Sequence, residues 1–166
     1  MKFADSDHYE IERKFLIEYP DIEWLENSPF CRRTEIVQTY LNAAPGEEIR
    51  VRNREGNGNC IYFKTVKRKI SGIRRVENER RISREEYEKL LLDADRTRRP
   101  IQKTRYCLDF NGQCFEIDVY PFWTDKAIAE IELADESEEI IFPAQIKVIK
   151  EVTDDDSYKN AALAKI

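Results

Sequence analysis

Charged and apolar side chains alternate, one residue at a time, in short segments along this chain. In one segment Phe115, Ile117 and Val119 alternate with Glu116 and Asp118. Side chains at positions i, i+2 and i+4 lie on the same face of a β-strand, so this segment would form a strand with one apolar and one charged face. The alternation therefore predicts antiparallel β structure.

Eight segments of this kind are separated by turn residues. The predicted strands are residues 8–17, 35–42, 47–54, 60–69, 73–82, 101–110, 113–120 and 127–134. The dipeptides Asn57-Gly58 and Asn111-Gly112 lie between consecutive strands, where a two-residue hairpin loop needs positive φ. Ser71-Gly72 has the same position with a less distinctive sequence.

A few short helices are predicted between and after the strands. They are residues 20–25, a helix after the capping box Ser83-x-x-Glu86, residues 143–150, and a last turn over residues 158–165. The chain contains no internal repeat, low-complexity tract or linker. We therefore expect residues 1–166 to form a single domain.

The charged faces of the predicted strands are segregated by sign. Like charges at i and i+2 on one face repel, so a sheet surface that served only stability would mix acids and bases. The acids are Glu10, Glu12, Glu77, Glu79, Glu116, Asp118, Glu130 and Glu132. The bases are Lys14, Arg50, Arg52, Lys67, Arg75, Lys103 and Arg105.

Closure of about eight strands gives an interior wide enough for one small ligand. We therefore predict an α+β, mainly β fold: an eight-stranded antiparallel β-barrel with a few outer helices. Charges that face such an interior are tolerated when they are paired or bound to ions. The acids suit divalent cations and the bases suit a polyanion, so the interior is predicted to bind a phosphate compound with metal.

The overall composition restricts the other classes of function. The net charge is −5, from 33 acidic and 28 basic residues, which argues against nucleic acid or an anionic membrane as the main partner. His8 is the only histidine, which leaves little for Ser-His-Asp catalysis or a zinc site, so a metal would be Mg²⁺ or Mn²⁺ bound by oxygen. The four cysteines form no CxxC pair and no signal segment is recognised, so buried thiols and a cytoplasmic location are expected.

The segment Glu10-Ile11-Glu12-Arg13-Lys14 resembles the ExExK signature of the CYTH, or triphosphate tunnel metalloenzyme, superfamily. Further matches to the family's pattern follow in order. They are Tyr40-Leu41, Arg50-x-Arg52, Thr65-Val66-Lys67, Arg75-x-Glu77-x-Glu79, Lys103-Thr104-Arg105, Glu116-x-Asp118, Glu130-Ile131-Glu132, Glu151-Val152-Thr153 and Tyr158-x-Asn160. The resemblance covers nearly the whole chain.

The resemblance implies a tunnel fold that binds a triphosphate with Mg²⁺ or Mn²⁺. Residues expected to hold metal are Glu10, Glu12, Glu130 and Glu132, to which we add Glu116 from the acidic faces. Residues expected to bind phosphate oxygens are Lys14, Arg50, Arg52, Lys67, Arg75, Lys103 and Arg105. Lys64 competes with Lys67 for the inward position, and we choose Lys67 for its spacing from Thr65 and Glu77.

The predicted reaction is metal-dependent hydrolysis of a triphosphate, with inorganic tripolyphosphate giving pyrophosphate and phosphate as the first choice. One carboxylate among Glu77, Glu79 and Asp118 is expected to orient the attacking water, although each would serve equally well as the ion-pair partner of an arginine. Class IV adenylate cyclase and thiamine triphosphatase are the alternatives within the family. A non-catalytic polyphosphate-binding module is the alternative of another class, and the expected state is a monomer or homodimer.

Overall fold

The computed structural model describes residues 11–71 and 74–165, apart from the side chains of residues 69–71, 74 and 75. These ranges contain nine strands and three α-helices. The strands are β1 (Ile11–Glu18), β2 (Cys31–Leu41), β3 (Glu47–Gly56), β4 (Asn59–Ser71), β5 (Arg74–Ile82), β6 (Ile101–Phe110), β7 (Gln113–Val119), β8 (Lys126–Leu133) and β9 (Val148–Glu151). The helices are α1 (Ile22–Asn27), α2 (Arg84–Leu90) and α3 (Asn160–Leu163), with 3₁₀ turns at Leu91–Asp93 and Asp156–Tyr158.

The strands are hydrogen-bonded in the order β5-β4-β3-β2-β6-β7-β8-β1-β9. The mainly β, antiparallel prediction is confirmed, but the closed eight-stranded barrel is wrong for the described strands. The order has two edge strands, β5 and β9. The ninth strand pairs with residues 15–17 of β1, along the edge that closure of the first eight strands would have needed.

The ninth strand replaces the helix predicted over residues 143–150. Residues 143–147 form a turn and irregular backbone, and Val148–Glu151 forms β9. The run Val148-Ile149 contains two β-branched residues, which favour extended backbone and lose side-chain freedom in a helix. Pairing with β1 then decides the conformation of a segment too short to form a stable helix alone.

The two Asn-Gly turns and the Ser83 half of the predicted capping box are confirmed where the structure describes them. Asn57 and Asn111 have φ of 52° each, and the glycines that follow also have positive φ, as a two-residue hairpin loop requires. The Ser83 side chain accepts a hydrogen bond from the Glu86 N–H at 3.1 Å and begins α2. Gly72 of the Ser71-Gly72 prediction lies outside the described residues.

The described chain divides into two compact units. Unit 1 comprises the residues up to Arg32, Tyr106–Asp118 and Trp123–Thr153. Unit 2 comprises Arg33–Arg105, Val119–Phe122 and the residues from Asp154 onwards. The single domain over residues 1–166 stays a prediction.

In unit 1, β1 pairs with β8 on one side and with β9 on the other, and β8 also pairs with β7. The apolar face of these strands carries Phe15 and Phe115, whose rings lie 5.0 Å and 5.5 Å from the ring of Phe142. Ile117 and Ile131 on the same strands are fully buried. The opposite face carries the acidic residues that the alternation predicted.

In unit 2, β2, β3, β4 and β5 form consecutive antiparallel pairs. One face packs a core of Leu41, Val51, Ile82 and Tyr87, so α2 covers part of this face through Tyr87. The opposite face carries Arg50 and Arg52, since their parity on β3 is opposite to that of Val51. The predicted division of the third strand into an apolar and a basic face is confirmed.

The four cysteines form no disulfide in the described structure. Three of them are half-buried and Cys60 is exposed, so the expectation of buried thiols holds only in part. Burial raises the pKa of the Cys114 thiol to about 11, which keeps it in the unreactive thiol form. Among the helices within residues 11–71 and 74–165, none combines the length and apolar character required to span a membrane.

Candidate functional site

Three carboxylates of unit 1 meet on the charged face of its sheet. One oxygen from each of Glu12, Glu116 and Glu130 lies within 4.8 Å of the others. The strand register produces this arrangement, because Glu116 lies directly opposite Glu130 across β7 and β8. Lys14 lies opposite Glu130 across β1 and β8, and its ammonium is 3.1 Å from the Glu130 carboxylate.

The carboxylates of this cluster affect one another's protonation. A hydrogen bond with Glu130, desolvation, and the negative charges of Glu130 and Glu116 raise the pKa of Glu12 from 4.5 to about 9, although Lys14 acts in the opposite direction. Glutamates placed directly opposite each other destabilise a sheet unless something neutralises them. Glu12 therefore holds a proton at neutral pH in the metal-free protein.

The cluster fits a hard divalent cation. Mg²⁺, Mn²⁺ and Ca²⁺ prefer carboxylate oxygens, and three such ligands from three adjacent strands converge here without a histidine or thiol among them. A cation bound by these residues would supply the positive charge that Glu12 otherwise obtains from a proton. The donor set therefore agrees with the metal chemistry expected from the sequence.

A fourth predicted metal ligand, Glu132, is not part of this cluster. Glu132 lies opposite Glu12 across β1 and β8 and on the same strand face as Glu130, but it is exposed and its carboxylate is not within the group of three. Glu10 lies outside the described residues.

The basic residues of unit 2 occupy one face of β3 and its neighbours. Arg52 is buried, with 8% of its surface exposed, and donates to Glu79 at 2.5 Å. Glu79 also accepts a hydrogen bond from the Thr65 hydroxyl at 3.0 Å, and Thr65 is fully buried. Arg50 approaches Glu77 at 3.9 Å. The arginines and the two glutamates thus form ion pairs across β3, β4 and β5.

The charges of these residues shift one another's pKa. Burial, followed by the neighbouring Arg50 and Arg105, lowers the pKa of Arg52, although Glu79 partly offsets this. Burial raises the pKa of Glu79, but Arg52, the Thr65 hydroxyl and Arg50 outweigh it, so that the pKa lies below its usual value. Glu79 is therefore ionised, and three arginines are close enough to repel one another.

The choice between Lys64 and Lys67 follows from the register of β4. Lys67 lies directly opposite Glu77 on β5 and shares a strand face with Thr65. Lys64 lies on the other face, where it lines a separate groove of about 250 Å³ with Val66, Arg68, Val76, Asn78 and Arg80. Lys67 is therefore the lysine on the face of the arginines, as predicted. The side chain of Arg75 lies outside the described residues.

Three further predicted residues lie on β6 and β7. Lys103 of β6, in unit 2, is buried with 1% of its surface exposed. Arg105 lies two residues further along β6, within range of Arg52. Asp118 of β7, in unit 1, is also only 1% exposed. The sequence placed all three correctly on strands. The burial of Lys103 and Asp118 is unusual, because charged side chains are almost never fully buried unless they are paired.

Two polar residues on β2 were not predicted as site residues. Gln38 is buried and donates to the Tyr40 hydroxyl at 2.8 Å. Burial raises the pKa of Tyr40, and Arg50 also hydrogen-bonds to its hydroxyl. Gln38 lies directly opposite Arg52 and Tyr40 opposite Arg50. The even spacing of Gln38 and Tyr40 within a strand was the signal that could have placed them on the face of the arginines.

Several buried polar atoms on this face have no hydrogen-bond partner among the described residues. They are the Gln38 Oε1, the Arg50 Nε and the Arg52 Nε. Buried polar groups are nearly always satisfied, so such atoms indicate a place for a ligand or water. The two guanidinium N–H groups match the acceptor oxygens of a phosphate.

Residues 8–156 match the family model of the CYTH domain, and the chain belongs to this family. An inorganic triphosphatase of Nitrosomonas europaea is 35% identical over 158 residues, which cover 93% of this chain and 96% of that protein. The crystal structure of the inorganic triphosphatase NE1496 superposes with a TM-score of 0.61 at 31% identity, covering 94% of each chain. The PH1819 protein of Pyrococcus horikoshii OT3 has the same fold, with a TM-score of 0.56 and 24% identity over 78% of this chain and 80% of that one.

Proposed function

We propose that this chain is a metal-dependent triphosphatase that hydrolyses inorganic tripolyphosphate to pyrophosphate and phosphate. The observation that carries the proposal is the cluster of Glu12, Glu116 and Glu130, three carboxylates with one oxygen each within 4.8 Å of the others. A protein gains no stability from gathering like charges, so the cluster indicates cation binding. The similarity to an inorganic triphosphatase over 93% of the chain supports the same reaction.

The metal ligands in this proposal are Glu12, Glu116 and Glu130. Glu132 and Glu10 are proposed as further ligands, since Glu132 is on the same strand face and Glu10 precedes Glu12 by two residues. A bound Mg²⁺ or Mn²⁺ would neutralise phosphate charge and lower the pKa of a bound water. Lys14 keeps its ammonium on Glu130 at 3.1 Å and so fixes the orientation of that carboxylate.

Phosphate oxygens are bound by the basic residues. Arg50 and Arg52 each have a buried Nε–H without a protein partner in the described chain, and these groups donate to the substrate. The other proposed phosphate-binding residues are Lys14, Lys67, Arg75, Lys103 and Arg105. Phosphoryl transfer depends mainly on positioning and charge neutralisation, which such a set supplies without a covalent intermediate.

The carboxylate that orients the attacking water is proposed from Glu77, Glu79 and Asp118. Glu79 uses one oxygen to accept from both Arg52 and Thr65, which favours a role in holding the Arg52 side chain. Glu77 is exposed and near Arg50. Asp118 is buried two residues from Glu116 on the same strand face, so we propose Asp118 as the first candidate.

The substrate preference follows from the kind of groups that the chain provides. The residues assigned to the substrate are almost all cations, which recognise phosphate and not a base or a vitamin. A ligand made only of phosphate can use every one of them. The half-buried and exposed thiols suit a reducing compartment, and we propose a cytoplasmic enzyme.

Phosphate release from tripolyphosphate, ATP and thiamine triphosphate with Mg²⁺ or Mn²⁺ tests this proposal. We expect the highest kcat/KM for tripolyphosphate and complete loss of turnover in EDTA. Conversion of ATP mainly to cyclic AMP and pyrophosphate would make the protein a cyclase. Tight binding of tripolyphosphate without turnover under any metal would make it a binding module.

A further inference from the structure

The segment Glu151-Val152-Thr153 belongs to the pattern found in the sequence, yet the proposed reaction gives it no role. It begins at Glu151, the last residue of β9 in unit 1, and runs beside β1. It contacts Arg13 and Lys14, the two residues that follow Glu12. We infer that Glu151 and Thr153, here called the clasp, are positioning residues for the carboxylate cluster. This inference rests on the proposed metal-binding function.

Thr153 of the clasp and its neighbour Val152 bind the two backbone polar groups of Lys14. The Lys14 N–H donates to the Thr153 hydroxyl oxygen at 3.0 Å, and the Lys14 carbonyl accepts from the Val152 N–H at 2.8 Å. The first contact replaces a ladder hydrogen bond by a side-chain one. A threonine hydroxyl is therefore the group that satisfies a part-buried backbone N–H of β1 at this position.

The hydroxyl of Thr153 is held in turn by Glu151. It donates to the Glu151 carboxylate at 2.9 Å, and the same carboxylate accepts two hydrogen bonds from Arg13, at 2.7 Å and 2.9 Å. The hydrogen bond from Arg13 lowers the pKa of Glu151; desolvation opposes this, and the hydrogen bond from Thr153 and the charge of Arg13 lower the pKa further. The guanidinium carbon of Arg13 also lies 5.1 Å from the centre of the Phe15 ring, so the position of the Arg13 side chain is restricted.

The clasp is not a further set of metal ligands. Glu151 lies opposite Phe15 in the register of β1 and β9, and Arg13 and Phe15 are on the opposite strand face to Glu12 and Lys14. Both oxygens of Glu151 are also engaged by Arg13. The clasp therefore acts on the metal site through the backbone of β1 and not through its own carboxylate.

Lys14 transmits this restraint to the cluster. Its backbone is bound by the clasp, and its ammonium is 3.1 Å from Glu130. Glu130 in turn hydrogen-bonds to Glu12 and lies opposite Glu116. A small displacement of Lys14 therefore changes the spacing of all three carboxylates, and a cation site requires ligand positions held within about half an ångström.

The test replaces the Thr153 hydroxyl and measures metal binding directly. Thr153→Val keeps the shape of the side chain but removes the hydroxyl, Thr153→Ser keeps the hydroxyl, and Thr97→Val is the matched control, since Thr97 also donates its hydroxyl to a carboxylate, that of Asp95 at 2.7 Å. The affinity for Mn²⁺ alone is measured by electron paramagnetic resonance, with kcat and KM determined separately.

We expect Thr153→Val to weaken Mn²⁺ binding by about tenfold, the lower end of the effect of groups that orient metal ligands. Thr153→Ser should restore most of the affinity, and Thr97→Val should bind as the wild type does. If Thr153→Val does not fold, Glu151→Gln, an exposed substitution, should weaken binding in the same direction.

Two results would contradict the inference, and they are distinguishable. Wild-type protein that binds no Mn²⁺ would overturn the proposed metal site, and the role of the clasp with it. Wild-type protein that binds Mn²⁺, with a folded Thr153→Val or Glu151→Gln variant of equal affinity, would overturn the clasp alone.

Discussion

The acidic face of unit 1 and the basic face of unit 2 each gather charges of one sign, but they relieve the resulting repulsion differently. In unit 1 a hydrogen bond with Glu130, desolvation, and the negative charges of Glu130 and Glu116 raise the pKa of Glu12 to about 9, so that this carboxyl holds a proton at neutral pH. A guanidinium cannot release its proton near neutral pH. Unit 2 therefore places Glu79 against Arg52 and Glu77 near Arg50.

This difference indicates what each region lacks before a ligand binds. On the acidic face we propose that a bound cation would replace the proton held by Glu12. The basic face keeps its charge and leaves the Nε–H groups of Arg50 and Arg52 without protein partners in the described structure. We therefore expect substitutions in the two regions to affect different quantities: metal dependence in unit 1 and substrate affinity in unit 2.

The largest effect is expected at the centre of the acidic face. Glu130→Gln removes a charge that contacts both Glu12 and Lys14, and kcat should fall more than about a hundredfold, because even groups behind metal ligands contribute roughly 10- to 100-fold. Steady-state phosphate release at saturating Mg²⁺ measures this. Glu18→Gln, an exposed glutamate at the far end of β1, is the control and should keep full activity. Full activity of Glu130→Gln would contradict the assignment of metal dependence to the acidic face of unit 1.

The next effect concerns the basic face. Arg52→Ala removes a charged hydrogen-bond donor to phosphate, worth about 1.5–3 kcal/mol, so the dissociation constant of tripolyphosphate should rise about 10- to 100-fold. The melting temperature should stay the same or rise, because the repulsion between Arg52, Arg50 and Arg105 is relieved. Calorimetric titration and thermal unfolding measure the two quantities.

Arg84→Ala is the control for Arg52→Ala, since Arg84 is exposed and pairs only with Glu88 at 3.1 Å among the ion pairs of the described chain. Its affinity for tripolyphosphate should equal that of the wild type. An Arg52→Ala variant that unfolds while its folded fraction binds normally would show that Arg52 has a structural role only.

The proton on the acidic face predicts a pH dependence of stability. The pKa of Glu12 is about 9 in the folded protein and 4.5 ordinarily, so between these values the folded state binds more protons than the unfolded one. The free energy of unfolding of the metal-free protein should therefore fall as the pH rises through this window. Urea unfolding at about pH 5, 7 and 9 measures the slope. Glu12→Gln should flatten it, and an equal slope in that variant would assign the dependence to other groups.

The smallest effect distinguishes the two faces of one strand. Lys67 shares a face with Thr65 and lies opposite Glu77, whereas Lys64 lines the groove on the other face. Lys67→Ala should raise the KM for tripolyphosphate about three- to tenfold, because it removes one contact between a half-buried charge and a phosphate oxygen. Lys64→Ala should leave it unchanged. The reverse order would mean that the substrate uses the face covered by α2.

The strands and their charged faces could be predicted because period-two alternation fixes which side chains share a face. Ile101–Phe110 agrees with the prediction at both ends, and Asn57 and Asn111 mark their hairpins. The ninth strand could not be found in the same way. Its four residues are all exposed, so the strand has no alternation of buried and exposed positions. The conformation of Val148 and Ile149 depends instead on pairing with β1.

The residue types at the site could be predicted, but which of the acidic residues meet there could not. Five acids were expected at the metal, and the structure brings Glu12, Glu116 and Glu130 together while Glu132 stays apart. The difference arises from which residues oppose each other across β7, β8 and β1, and register is a property of strand pairs that one strand's sequence does not contain. The hydrogen bond from Thr65 to Glu79 depends on register in the same way.

We propose that this chain hydrolyses a linear triphosphate at a carboxylate-bound cation. Phosphorus-31 nuclear magnetic resonance of tripolyphosphate, followed over time with the protein and Mg²⁺, tests it most directly because substrate and products give separate signals. We predict that pyrophosphate and phosphate appear in equal amounts while tripolyphosphate disappears, and that EDTA or Glu130→Gln stops the change. Unchanged tripolyphosphate in the presence of folded wild-type protein and either Mg²⁺ or another divalent cation would show that the chain is not a tripolyphosphatase.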